Sequence, residues 1–307
     1  MTSAALDAIG PLGVWGHIDS LPVDGVRAYA RRVEELGFGA LWVPETVGRE
    51  PFALLALAST ATERLVLGTS IASIYARDAV TMRTAAMTLH EATGGRFILG
   101  LGVSHPHLVS KVRGHEYTGP VSTMRAYLDA YRGAPYTGPR PIDQPETEPP
   151  VIVAALRERM TALGATEADG AFPYLVTPER VGQIRRWLDS AAPSGARRPF
   201  LAVTVPAVLE TDPARARDIA RMYLAPYLRT PNYRASWGQQ GFSDEDWEKP
   251  GSDRLVDAMI AWGDADALRE RIEQMSAGDA DHVAVIPLSP DGSTEHLPTL
   301  EALAPRG

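Results

Sequence analysis

Apolar residues along this chain fall into two alternating patterns. The first is a set of short runs: Gly13-Val14-Trp15-Gly16, Ala40-Leu41-Trp42-Val43, and the segments 65–70, 97–103, 151–155, 170–173, 201–208 and 282–288. A strand covered on both faces has no polar face, so such runs predict buried parallel strands. The second pattern returns every three or four positions. Segment 24–36 sets Val26, Tyr29, Val33 and Leu36 on one face, and Gly37 stops it. That is helix spacing with a glycine end signal. Helices are likewise predicted over 52–62, 79–93, 122–131, 158–168, 177–191, 212–227, 253–262, 265–275 and 295–304. Two of them open on Thr177-Pro178 and Asp212-Pro213, a capping residue followed by proline in the first turn.

Eight such runs with helices between them predict an α/β fold, the (β/α)8 TIM barrel, as one domain over residues 1–307. A doubly wound sheet needs a switch point and usually a glycine fingerprint in its first βα turn. The first turn here, GVWGHIDS, lacks that fingerprint, and Gly100-Leu101-Gly102 lies inside the fourth run. Glycines there mark a close approach of backbone instead. The proline-rich stretch 132–150 reads as a loop. Segment 228–252, with Tyr233, Trp237, Phe242 and Trp247, reads as an irregular insertion before the last strand, lining a substrate mouth.

Composition narrows the chemistry. The chain is 45% hydrophobic and 22% charged, within the ordinary globular range. With no cysteine, disulfides, thiolate metal sites and a cysteine nucleophile are excluded. A net charge of −8 argues against nucleic acid as a partner. No run reaches the roughly 18 apolar residues of a membrane helix, and MTSAALDAIGPLG has no basic leader. A cytoplasmic protein is expected.

Segment 65–105 says most about function. Both of its strands end in small polar residues, Thr69-Ser70 and then Gly102-Val103-Ser104-His105. Packing does not need them, and in βα folds residues just past a strand's C-terminal end face the ligand. The other tips carry Trp15-Gly16-His17, Pro44-Glu45, Ala155-Leu156-Arg157, Tyr174 and Pro287-Leu288. No H-E-x-x-H or G-x-S-x-G occurs, so metal and serine hydrolysis lack support. Glu45 and His105 are the candidates for proton transfer. Taken as the ends of adjacent barrel strands ~4.8 Å apart, they are expected to share one substrate group. The carboxylate then raises the imidazole's pKa, and His105 donates a proton while Glu45 orients it.

The ordered series LGFGALWVPE, LVLGTSI, GGRFILGLGVSH, PPVIVAALRERM, ADGAFPYLVTPE, LETDPARARDIARMYLAPYLRTPNYR and ADHVAVIPL resembles the luciferase-like monooxygenase superfamily. It is most similar to the branch of oxidoreductases using coenzyme F420. The resemblance implies a barrel with the deazaflavin at the C-terminal ends of its strands. It implies a small organic substrate, a homodimer, and a cis Ser70–Ile71 peptide behind the ring. The positions it assigns to the cofactor are Trp15, Ser70, Ile71, Val103, Ser104, Ala154, Ala155, Leu156, Arg157 and Tyr174. It assigns catalysis to the ends of strands two and four, Glu45 and His105, with the residue types exchanged relative to sugar-phosphate dehydrogenases of that family. An FMN-dependent monooxygenase and a non-catalytic flavin or deazaflavin binder are the alternatives.

Overall fold

The computed structural model describes residues 4–140 and 148–306. Eight strands form a closed parallel barrel: β1 Leu12–Trp15, β2 Ala40–Val43, β3 Val66–Thr69, β4 Phe97–Gly102, β5 Val151–Val153, β6 Gly170–Ala171, β7 Phe200–Leu209 and β8 His282–Leu288. Each pairs with its sequence neighbour. Closure comes from β8 on β1, with Leu12 opposite Val283 and Val14 opposite Val285. The (β/α)8 architecture expected from the apolar runs is therefore present.

Side chains alternate between two cores because strand side chains alternate between faces. Ala40, Trp42, Val66, Ile98, Ile152, Phe200, Ala202, Ala284 and Ile286 pack inside the barrel. Leu41, Val43, Leu67, Phe97, Leu99, Val153, Leu201 and Val203 pack outward against the helices. Helix Ala4–Ala8, which the periodicity did not predict, sets Ala5 and Leu6 into the inner core. Near it, fully buried His282 accepts from Trp42 Nε1 at 3.1 Å and lies 2.8 Å from Gly10 O through Nδ1. A side chain at Gly13 would meet the His282 ring at 2.6 Å, and one at Gly68 would meet the Trp42 ring at 2.3 Å. These glycines leave the room that the two large rings fill.

Strand β3 is interrupted beyond Thr69 and resumes as Ala72–Ser73. Leu67 pairs with Phe97, but Ala72 pairs with Leu101. Five steps on one side thus match four on the other, which is a β-bulge. The Thr69 hydroxyl bridges the gap, donating to Gly100 O at 2.8 Å and accepting from Gly100 N at 2.9 Å. The Ser70–Ile71 peptide within the bulge is cis, as expected. Gly100 and Gly102 mark the close approach anticipated for them: a Cβ at Gly100 would sit 1.9 Å from Thr69 O, and one at Gly102 would sit 2.5 Å from the Ile71 side chain.

Two expectations change. Segment 228–252 is not irregular: it holds helices Pro231–Gly238 and Asp244–Trp247, the second closed by a capping box between Ser243 and Asp246. The helix predicted over 253–262 ends at Met259, and Ala261–Gly263 forms a short strand on the end of β7. The loop predicted over 132–150 falls partly outside the described residues. Among those described, no helix is long and apolar enough to cross a membrane.

Candidate active site

A cavity of about 1800 Å³ opens at the C-terminal ends of β1 to β6. Every strand-tip residue assigned to cofactor or catalysis lines it: Trp15, Glu45, Ser70, Ile71, Val103, Ser104, His105, Ala154, Ala155, Leu156, Arg157 and Tyr174. The tips of β7 and β8 do not; Pro226, Tyr227 and the segment Arg229–Tyr233 close the ring instead.

One wall is aromatic. The Trp15 ring lies 5.0 Å from His17 and 5.7 Å from Tyr174. Tyr174 contacts Tyr227 at 5.5 Å and Tyr233 at 6.1 Å, and Tyr233 contacts His105 at 5.5 Å. Trp15 Nε1 donates to Ser70 O at 3.0 Å, which ties this wall to the bulge. The Tyr174 hydroxyl bonds to those of Tyr223 and Tyr227. Burial, the largest cause, holds all three phenols above their usual pKa and so protonated. Ser104 and Leu175 take left-handed φ values of 55° and 53° beside His105 and Tyr174. Non-glycine residues rarely do so, and such positions gather at functional sites.

Glu45 is fully engaged. Its Oε1 accepts from Arg77 Nη2 at 2.8 Å and Arg113 Nη2 at 3.4 Å; its Oε2 accepts from Arg77 Nη1 at 2.9 Å and Ser73 N at 2.7 Å. Its side chain is 7% exposed. The clamp joins the loop after β3 to the turn that follows the π-helical segment His107–Val112. The expected Glu45–His105 partnership is not formed. The two residues end β2 and β4, and β3 runs between those strands. Burial lowers the His105 pKa below 6.5, contact with Asn232 opposes this, and no carboxylate contributes.

Another wall is cationic. Arg180, 2% exposed, donates to Leu156 O at 3.1 Å, Gln239 Oε1 at 2.6 Å and Gln183 Oε1 at 2.6 Å. It lies 4.6 Å over the Trp187 ring, and its Nε is buried without a partner. Burial and then the charge of Arg157 lower its pKa. Neither arginine has a carboxylate partner among the described residues. The two positive charges are near enough for Arg157 to disfavour the charged form of Arg180.

The aromatic tips were legible because each follows an apolar run. Tyr233 lines the cavity, as expected of segment 228–252 at the substrate mouth; Tyr227, Asn232 and Arg180 were not selected, since the first two reach the cavity only through docking of the segment between β7 and β8. For Arg180 a signal existed: the Thr177 cap places it in the first turn of helix Pro178–Ala191.

Comparison with known proteins agrees with the barrel fold. A protein of Mycobacterium tuberculosis provisionally named a coenzyme F420-dependent oxidoreductase is 28% identical, over 95% of this chain and 97% of its own. The F420-dependent tetrahydromethanopterin reductase of Methanopyrus kandleri superposes with a TM-score of 0.71 at 16% identity, covering 97% of this chain and 98% of that one. The oxygenating constituent of 3,6-diketocamphane monooxygenase from Pseudomonas putida, in complex with FMN, gives 0.70 at 15% identity, covering 96% of both chains. The profile of the luciferase-like monooxygenases matches residues 9–282, and the chain belongs to that family.

Proposed function

We propose that this chain is an oxidoreductase that uses coenzyme F420 to transfer a hydride to or from a small organic substrate. The observation that carries this reading is the pair Arg157 and Arg180, cations without carboxylate partners among the described residues, in a chain of net charge −8. That donor set, with the orphaned Arg180 Nε, fits the phosphate-bearing tail of a flavin or deazaflavin. The name of the M. tuberculosis relative favours the deazaflavin.

When bound, a deazaflavin supplies a ring carbon that accepts or returns a hydride. The chain's own residues do the rest. Arg157 and Arg180 bind the anionic end. Ile71 offers an apolar surface at the bulge, and Trp15 holds that bulge through Ser70. Trp15, Tyr174 and Tyr233 exclude water from the reacting centre, which strengthens every polar contact there. His105, neutral at pH 7 because burial lowers its pKa, takes or gives the proton that accompanies hydride transfer. Glu45 keeps the two loops beside it in place through Arg77 and Arg113.

A titration of the purified protein tests this. F420 is expected to bind in the low micromolar range, and FMN at least ~10-fold more weakly, a gap of about 1.4 kcal/mol. Equal affinities, or FMN carried through purification, overturn the deazaflavin assignment in favour of the flavin monooxygenases of the same fold.

A further inference from the structure

Helix Pro231–Gly238 lies in the insertion, far in sequence from β4, yet it brings consecutive residues against His105. The Tyr233 ring packs 5.5 Å from the imidazole. The neighbouring Asn232 lines the same cavity. Two buried polar atoms on this wall lack a hydrogen-bond partner of good geometry: His105 Nδ1 and Asn232 Oδ1. A buried polar atom left unpaired has lost its hydration with nothing in exchange. Two such atoms on interacting side chains, one able to donate and one able to accept, satisfy each other by pairing.

We infer that Asn232 is a positioning residue for His105: its Oδ1 accepts from Nδ1–H, which fixes one tautomer and leaves Nε2 facing the cavity. Nε2 makes no hydrogen bond among the described residues, and it is not sealed from the cavity as Nδ1 is. In this tautomer Nε2 is the lone-pair atom, so it receives a proton in one direction of reaction and returns it in the other. Asn232 stabilises the charged ring, because a protonated imidazole is the stronger donor to an amide oxygen. Burial opposes that charge, and Asn232 is the group that counters it. The Tyr233 face limits rotation of the ring. Correct docking of helix Pro231–Gly238 thereby becomes a condition for a competent His105.

The inference rests on the reading of His105 as the proton carrier, and its test does not depend on turnover. The full-length, cofactor-free protein is labelled with ¹⁵N-histidine, and the His105 signals are assigned by their loss in His105→Gln. At neutral pH, Nδ1 is expected to show the protonated shift and Nε2 the unprotonated one. Asn232→Ala should lose this preference and titrate at lower pH. Asn232→Asp should keep it and titrate about one unit higher, the scale of a carboxylate neighbour. Thermal unfolding followed by circular dichroism confirms that both variants are folded. An unprotonated Nδ1 in the wild-type protein, or a tautomer and titration unmoved in Asn232→Ala, overturns the inference. Unchanged turnover in His105→Ala removes the proton-carrier role while leaving the tautomer result intact, so the two failures are separable.

Discussion

Glu45 and His105 began as equivalent candidates, and their surroundings give them different work. The Glu45 oxygens are taken up by Arg77, Arg113 and Ser73 N, and the side chain is 7% exposed. Removing one member of a buried ion pair costs about 3–5 kcal/mol, because a charge is left without its partner. Glu45→Ala should lower urea stability by that amount. His105 lies in no ion pair, so His105→Ala should leave stability nearly unchanged and cut kcat by roughly 10²-fold, the scale for losing a general acid or base. Denaturation and steady-state kinetics on the two variants check this, and a Glu45→Ala protein as stable as wild type would refute the clamp. The position of both residues was legible, since each follows an apolar run. Their roles were not. Arg77 and Arg113 are loop residues whose aim depends on tertiary structure, and strands two and four of a barrel are separated by the third.

The junction of β3 and β4 shows what a short element can specify. Gly100 and Gly102 looked like close-approach glycines in sequence, and the contacts that require them are Thr69 O and the Ile71 side chain. A methyl group at Gly100 must displace backbone, which does not yield as the end of a side chain would. Gly100→Ala should therefore cost about 3 kcal/mol. Thr69→Val leaves Gly100 N and O without the hydroxyl that bridges them and should cost about 1–3 kcal/mol. Urea titrations of both variants measure this; values within 0.5 kcal/mol of wild type, roughly the noise of surface substitutions, would contradict the bulge argument. The barrel strands were readable because each is an unbroken apolar run. Helices Pro231–Gly238 and Asp244–Trp247 were hidden because such short helices are marginal alone and form through packing. Their aromatic residues, Tyr233, Trp237 and Trp247, supply that packing. Ala261–Gly263 was hidden for a related reason: three residues cannot display a period of two.

Across the whole molecule, the buried floor of the barrel couples stability to acidity. His282 is fully buried, and desolvation lowers its pKa from 6.5 to about 4. Above pH 6.5 the ring is neutral folded or unfolded and contributes no pH dependence. As pH falls from 6.5 toward 4 the unfolded chain takes up a proton that the folded ring refuses, so stability declines by about 3 kcal/mol over that window. Urea midpoints for wild type and His282→Gln between pH 7.5 and 4 should diverge by this amount; parallel curves would show that His282 does not set the slope. The division of the cavity has a different consequence. Ser70, Ile71 and Arg157 follow closely on barrel strands, whereas Tyr227, Asn232 and Tyr233 arrive on one continuous stretch of chain inserted between β7 and β8. One cavity is thus lined by two pieces of polypeptide of different origin. Grafting residues 226–238 from one family member to another is expected to change the substrate mouth and the setting of His105 together, while the Ser70–Ile71 bulge stays as it is.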